Sequence, residues 1–363
     1  MPLQIAKPGI ARITKHMVKN EAKTAPPPSV LLHSNENAFG PSPYALAAFR
    51  AASADLERYE EDAHGFLAPH LSARYGPDTD AIMIGQGSDD ILARIARVYL
   101  GPETSLVRLE SGYLKVPNYA YANDAEVVSV RGNDLSASID AMLAAVDGRT
   151  RIVYLANPEN PAGTCVGADE LRRLRAGLLD EALLVIDAAY EEFADVGTPT
   201  HEMFAGDPNV VVCRTFSKVF GLAGARIGWA TGTPETLDPV RRIGLTFPVS
   251  TPALHAARAA LQDRAHEAWV IAETRRLRAW LTAELTRLSL QPVPSHANFV
   301  LVRFPDMGRS AAEATKALAG QGILIRRFAS PIFDDYARIT IGHEQELRRA
   351  VTALEAFLRQ AAA

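Results

Sequence analysis

Between about residue 80 and residue 232, short unbroken apolar runs alternate with segments of helical period, and few folds accommodate that order. Strands are expected at 81–84, 105–109, 126–130, 151–155, 183–186, 210–213 and 226–230, with helices at 89–99, 138–146 and 169–178. Continuous Val, Ile and Leu, without polar alternation, suit strands covered on both faces. Strand–helix alternation then implies an α/β fold, a mainly parallel sheet flanked by helices. Ligands of such sheets bind outside the carboxyl ends of the strands, so the polar residues that follow each strand are the ones to read.

Residues 251–290 read as a long helical region. Beyond it come strand 299–304, helix 310–319, strands 323–327 and 337–341, and helix 344–359, which together predict a smaller C-terminal α+β domain. The first 30 residues are mixed and end in Ala25 and three prolines, a stiff arm. The expected division is an N-terminal arm at 1–45 packing with the small domain, a large ligand-binding domain at 46–245, and a linking helix with the small domain at 246–363. A chain of 363 residues, 48% apolar and 22% charged, can fill two such cores.

A net charge of −4, with basic residues interspersed among acidic ones, argues against nucleic acid or an anionic membrane as the main partner. Cys165 and Cys213 have neither metal-ligand spacing nor a disulfide framework, which suits a reducing cytosol. No apolar run reaches the ~18 residues of a membrane span. Lys7, Arg12, Lys15 and Lys19 are not followed by the apolar core of a secretory signal. A cytoplasmic protein without a metal centre is expected.

Lys218 follows the apolar run 210–213, preceded by Thr215 and Ser217 and followed by Arg226. Partial desolvation would favour its free amine, while hydroxyls and a guanidinium fork can bind a phosphate beside it. An amine next to a phosphate cradle is what a lysine–pyridoxal-phosphate Schiff base requires. A surface lysine after a strand is the plainer alternative. The segment 85–89, Gly-Gln-Gly-Ser-Asp, opens a helix whose free N–H groups favour an anion, unless Ser88 or Asp89 simply caps it. Two Asn-Pro pairs at 157–161 rigidify a turn that could hold the Asn160 amide against a ring hydroxyl. Asp187 ends a buried strand, where a carboxylate needs a partner such as a protonated pyridine nitrogen or a helix start to cap. Tyr190 could reach the phenolic oxygen of the same ring. Tyr113 is placed to stack on it, or to sit in the core, and Tyr59 is equally ambiguous. Arg326 and Arg338 can grip a carboxylate or phosphate bidentately, or make ordinary surface ion pairs.

Taken in order, these motifs resemble the fold-type-I pyridoxal-phosphate aminotransferases, and within them the histidinol-phosphate aminotransferase group, from about Leu31 to the end of the chain. The resemblance implies that Lys218 holds the cofactor and shuttles a proton, and that Asp187 pairs with the pyridine nitrogen. It implies that Asn160 and Tyr190 contact the ring oxygen and that Tyr113 stacks on the ring. Ser88 and Asp89 (through backbone N–H groups), Ser217 and Arg226 would hold the cofactor phosphate. Tyr59 would reach that phosphate from a neighbouring subunit, making a homodimer the smallest complete unit. Arg338 would bind the substrate α-carboxylate, Arg326 the far phosphate of histidinol phosphate, and Glu36 and Asn37 would line the substrate end. The acceptor implied is a 2-oxo acid, 2-oxoglutarate.

The substrate end departs from the group's pattern. Ala162 replaces a threonine, Tyr113 stands in Glu-Ser-Gly-Tyr instead of Pro-Thr-Tyr, and Arg327 occupies a place where aspartate is common. The arm at 11–17 lacks a Pro-Tyr element. Aromatic amino acids are therefore an alternative donor, and a lyase resembling threonine-phosphate decarboxylase is a more distant one.

Overall fold

Twelve strands form three sheets among the described residues, which in this computed structural model are 6–13, 29–59, 62–195, 197, 199–305 and 308–359. The prolines of the arm and residues 14–17 lie outside them. The first strand, β1 (Val30–Leu32), precedes the main sheet. That sheet comprises β2 (Ile82–Gly85), β3 (Ser105–Leu109), β4 (Glu126–Val130), β5 (Thr150–Ala156), β6 (Leu183–Asp187), β7 (Val210–Thr215) and β8 (Gly228–Thr231). Its order is β2-β8-β7-β6-β5-β3-β4. Six strands run parallel, and only β8 is antiparallel to its neighbours β2 and β7. The carboxyl ends of the six and the amino end of β8 therefore share one edge.

Side chains alternate across this sheet, as a two-residue period requires. Ile152, Tyr154, Leu183, Val185, Val211 and Cys213 pack on one face with Ile91 and Ile95 of helix Ser88–Tyr99. Val153, Leu155, Leu184, Ile186, Val210 and Val212 pack on the other with Leu171 and Leu174 of helix Ala168–Ala176. Burial of each such side chain contributes about 1.5–3 kcal/mol, so both faces stabilise the sheet. Neither face can be given up to solvent.

The C-terminal part holds β9 (Gln291–Pro292), β10 (Phe299–Arg303), β11 (Ile323–Ile325) and β12 (Tyr336–Thr340). β12, β10 and β9 form an antiparallel sheet, covered by Leu277, Leu281, Leu347 and Leu354 of helices Arg264–Arg287 and Glu344–Arg359. The region 251–290 is two helices, because Asp263 ends Thr251–Gln262 and its carboxylate accepts the His266 N–H at 3.1 Å to start Arg264–Arg287. β1 pairs in parallel with β11, Leu32 opposite Ile325, which ties the N-terminal segment to the C-terminal part. No helix among the described residues is long and apolar enough to cross a membrane.

Candidate active site

The shared edge of the main sheet opens on a cavity of about 290 Å³, at the lower end of the range for small-ligand sites. Lys218, Asp187, Asn160, Tyr190 and Tyr113 line it together. So do Ser88, Asp89, Ser217 and Arg226 at one end, and Glu36, Arg326 and Arg338 at the other.

Asp187 is buried at the end of β6 on the face that carries Leu183 and Val185. Tyr154 pairs with Val185 across the ladder, so Asp187 is its diagonal neighbour on that face. The Tyr154 hydroxyl accordingly donates to Asp187 Oδ2 at 3.0 Å, and the Ala189 N–H donates to Oδ1 at 3.2 Å. Burial nevertheless pushes the carboxyl up to about 6, against the pull of Tyr154. Among the described residues no cation forms an ion pair with this carboxylate, and Lys218 acts on it only through space.

Tyr190 shows how amides can fix a hydroxyl. Its oxygen accepts from Asn35 Nδ2 at 3.1 Å and Asn160 Nδ2 at 3.3 Å. Both amides are held the right way round: Asn35 Oδ1 accepts from Thr340, and Asn160 Oδ1 accepts from Arg338 Nη1 at 2.6 Å. With both lone pairs taken, the Tyr190 hydroxyl has only its proton to offer a ligand. Lys218 Nζ donates to Asn35 O at 3.1 Å and lies 5.5 Å from the centre of the Tyr190 ring.

At the phosphate-like end, helix Ser88–Tyr99 starts from Gly87 with no side-chain cap, leaving its first-turn N–H groups without a side-chain acceptor among the described residues. Neither Ser88 nor Asp89 caps it. The Asp89 carboxylate is engaged by Tyr119 at 2.7 Å, Lys115 at 2.8 Å and Tyr113 at 3.2 Å. Burial alone would raise Asp89, but the Lys115 and Tyr119 hydrogen bonds outweigh it and hold the carboxyl below the usual range. The same carboxylate steadies the Tyr113 ring through its hydroxyl. Gly87 has φ +80°, and a Cβ there would come within 2.8 Å of Arg226 Nη2, so the guanidinium lies directly over the start of the helix. Arg226 itself has a positive φ of 53° and Nη1 bonded to Ala223 O, which delays β8 to Gly228.

Arg338 is buried between Phe299 and Phe328, its Nη2 donating to His33 O at 3.0 Å. Burial pushes the guanidinium down to about 10, so it stays charged at neutral pH. Two expected residues lie apart from the cavity. Asn37 turns its amide to Val219 O at 2.9 Å, bracing the residue after Lys218. Tyr59 is 78% exposed and stacks on Phe247 with ring centres 4.3 Å apart.

Three residues at the site gave no usable signal in the sequence. Asn35 is almost fully buried, with φ 53°, and joins Lys218, Tyr190, Thr340 and Asn298. Tyr154 looked like one more apolar strand residue. His33 lines the cavity from the loop after β1.

The family model for aminotransferase class I and II matches residues 27–354. Histidinol-phosphate aminotransferase of Rhodopseudomonas palustris (strain BisB5) is 39% identical over 99% of this chain and 100% of its own. That of Paramagnetospirillum magneticum (strain ATCC 700264 / AMB-1) is 40% identical over 97% and 98%. The crystal structure of histidinol-phosphate aminotransferase from Sinorhizobium meliloti in complex with pyridoxal-5'-phosphate superposes with a TM-score of 0.92, at 30% identity and 98% coverage of both chains. Thermus thermophilus aspartate aminotransferase, at 21% identity and a TM-score of 0.80 over 91% of this chain and 92% of its own, shares the fold. With a family match across most of its length and full-length relatives near 40% identity, this chain belongs to the class I and II aminotransferases.

Proposed function

We propose that the protein is a pyridoxal-phosphate-dependent histidinol-phosphate aminotransferase with 2-oxoglutarate as acceptor. One observation carries the reading: an amine, Lys218, and a buried carboxylate short of a cation, Asp187, face one cavity with an uncapped helix start at one end and two arginines at the other. That arrangement fits the cofactor. Lys218 would hold its carbonyl carbon, Asp187 its ring nitrogen, Tyr190 and Asn160 its ring oxygen, and Tyr113 one ring face. The N–H groups of Ser88 and Asp89, with Ser217 and Arg226, would hold its phosphate. Pyridoxal phosphate, when bound, supplies a cationic ring that accepts the electron pair left when a proton leaves the substrate's Cα. Asp187 would keep the ring nitrogen protonated, the Tyr190 proton would be directed at the ring oxygen, and Lys218 Nζ, once released from the carbonyl carbon, would take the Cα proton and deliver it to that carbon, two bonds away. Arg338 and Arg326 orient the substrate through its anionic group, with Glu36 at the mouth.

The division into arm 1–45, large domain 46–245 and small domain 246–363 is part of this proposal, supported by the β1–β11 pairing. So is a homodimer in which Tyr59 completes the neighbour's phosphate site. Its exposure, and that of Tyr44, Phe247 and Leu245, supports this. A cytoplasmic setting suits the two free cysteines.

The test is a half-reaction. Purified holoenzyme is mixed with histidinol phosphate and no acceptor, and the visible absorbance of the bound cofactor is followed. Bleaching with histidinol phosphate at low concentration supports the reading. Bleaching only with aromatic amino acids sinks the donor, and release of CO2 without need of an acceptor sinks the reaction class.

A further inference from the structure

Arg326 and Arg338 leave one corner of the cavity with a third polar neighbour that has no assigned role. His33 follows β1, whose register with β11 brings it beside Arg326, and its carbonyl accepts from Arg338 Nη2 at 3.0 Å. It lines the cavity with both arginines, and its ring is close enough to feel both guanidinia and Glu36. Nδ1 is buried and has no hydrogen-bond partner among the described residues. We propose that His33 is a specificity-determining residue, donating a hydrogen bond from Nε2 to a phosphate monoester held by Arg326 and Arg338. It would thereby favour a phosphorylated amino donor over one with a carboxylate at that position. The donor class rests on the function proposed above.

The protonation state supports this assignment. Burial holds the ring below its usual pKa; Glu36 pulls it up, and the Arg326 and Arg338 guanidinia push it down. At neutral pH the imidazole is therefore uncharged and has one N–H. A buried donor without an acceptor is among the rarest features of folded proteins, so the proton belongs on Nε2 and the bare lone pair on Nδ1. Arg338 already spends Nη1 on Asn160 and Nη2 on the His33 carbonyl. A carboxylate has two oxygens to satisfy, whereas a phosphate monoester has three and close to twice the charge. The extra donor matches the larger anion.

The experiment compares wild-type, His33→Ala and His33→Asn holoenzymes. The ratio of kcat/KM for histidinol phosphate to that for histidine should fall ten- to a hundredfold in His33→Ala, the range for a hydrogen bond to a charged group. His33→Asn, which keeps a donor, should recover most of it. Calorimetric titration supplies a second readout: propyl phosphate should bind His33→Ala more weakly than wild type by a similar factor, with butyrate affected less. Equal losses for phosphate and carboxylate ligands, or none for either, overturn the proposal. If wild type ignores histidinol phosphate yet the propyl phosphate contrast holds, the donor reading fails and the role of His33 stands.

Discussion

Arg326 and Arg338 are backbone partners: the Arg326 N–H donates to Arg338 O at 2.9 Å and the Arg338 N–H to Arg326 O at 2.8 Å. Residues that exchange both bonds sit directly opposite one another in an antiparallel pair, with side chains on one face. Here that face is the cavity wall. Arg338→Ala also strips Asn160 of its 2.6 Å donor. Losing a buried, hydrogen-bonded charge costs about 2–5 kcal/mol in comparable sites, so KM for the 2-oxo acid should rise by about thirtyfold or more. Steady-state kinetics at saturating donor check this.

Lys218→Ala removes the only amine among the described residues that line the cavity. Turnover should drop by at least about 10³-fold, the scale of losing a positioned acid–base group, while the far-ultraviolet circular dichroism stays that of the parent. Retention of full turnover would refute the role given to this lysine.

Asp187 makes cofactor-free protein pH-sensitive in a defined direction. Its folded-state pKa, pushed up to about 6 by burial, exceeds the ~3.9 of an unfolded aspartate. The folded chain thus holds this proton more tightly, so the contribution is full below about pH 4 and is lost as pH rises through 6. Asp187→Asn removes that loss. Thermal melts of cofactor-free protein should show the variant gaining on wild type between about pH 4 and 7, by about 2–3 kcal/mol. Parallel curves would contradict it.

The sheet was largely legible in the sequence because its strands are buried on both faces, and unbroken Val, Ile and Leu runs report that burial directly. Strands 105–109 and 126–130 fall where their residues predicted. Strand direction left no such mark: β8 is as fully buried as β2 and β7 beside it, and it runs antiparallel to them because a loop, with no crossover α-helix, brings the chain back from β7 at the same edge. The site was readable where a residue type is costly in its place, as with Asp187 ending a buried strand. It was unreadable where function rests on partners far away in the chain. Asn35 looks like any loop asparagine until Thr340, Asn298 and Lys218 surround it. Asn37 illustrates the converse, since neighbouring residues in one loop face different ways: Glu36 lines the cavity while Asn37 braces Val219.

Glu159, inside the double Asn-Pro turn, is buried and raised to about 8, burial outweighing the Asn160 N–H and the nearby Arg108. It is therefore a neutral acid at pH 7. Glu159→Gln keeps the acceptor for the Asn160 N–H, now 2.9 Å from Oε1, and should leave Tm within a few degrees of wild type. Glu159→Ala leaves that N–H unpaired and should cost about 1–3 kcal/mol in denaturant titrations.

Gly228 begins β8 against the start of helix Ser88–Tyr99, and a Cβ there would lie 2.6 Å from the Ser88 nitrogen. The obstructing atoms are backbone, so Gly228→Ala must push strand and helix apart. A loss of about 1–3 kcal/mol in stability is expected, with weaker cofactor retention on dialysis than in wild type.

Asn35 and Thr340, joined by two hydrogen bonds of 3.0 and 3.1 Å, stand 305 positions apart. A growing chain on the ribosome therefore cannot complete the hydrogen bonds that hold Asn35, and through it Lys218 and Tyr190, until Thr340 has emerged. Premature termination just before Arg338 would leave the whole of the main sheet's sequence translated yet no finished pocket. Acquisition of the cofactor's visible absorbance during cell-free translation would then serve as a clock for the emergence of Thr340.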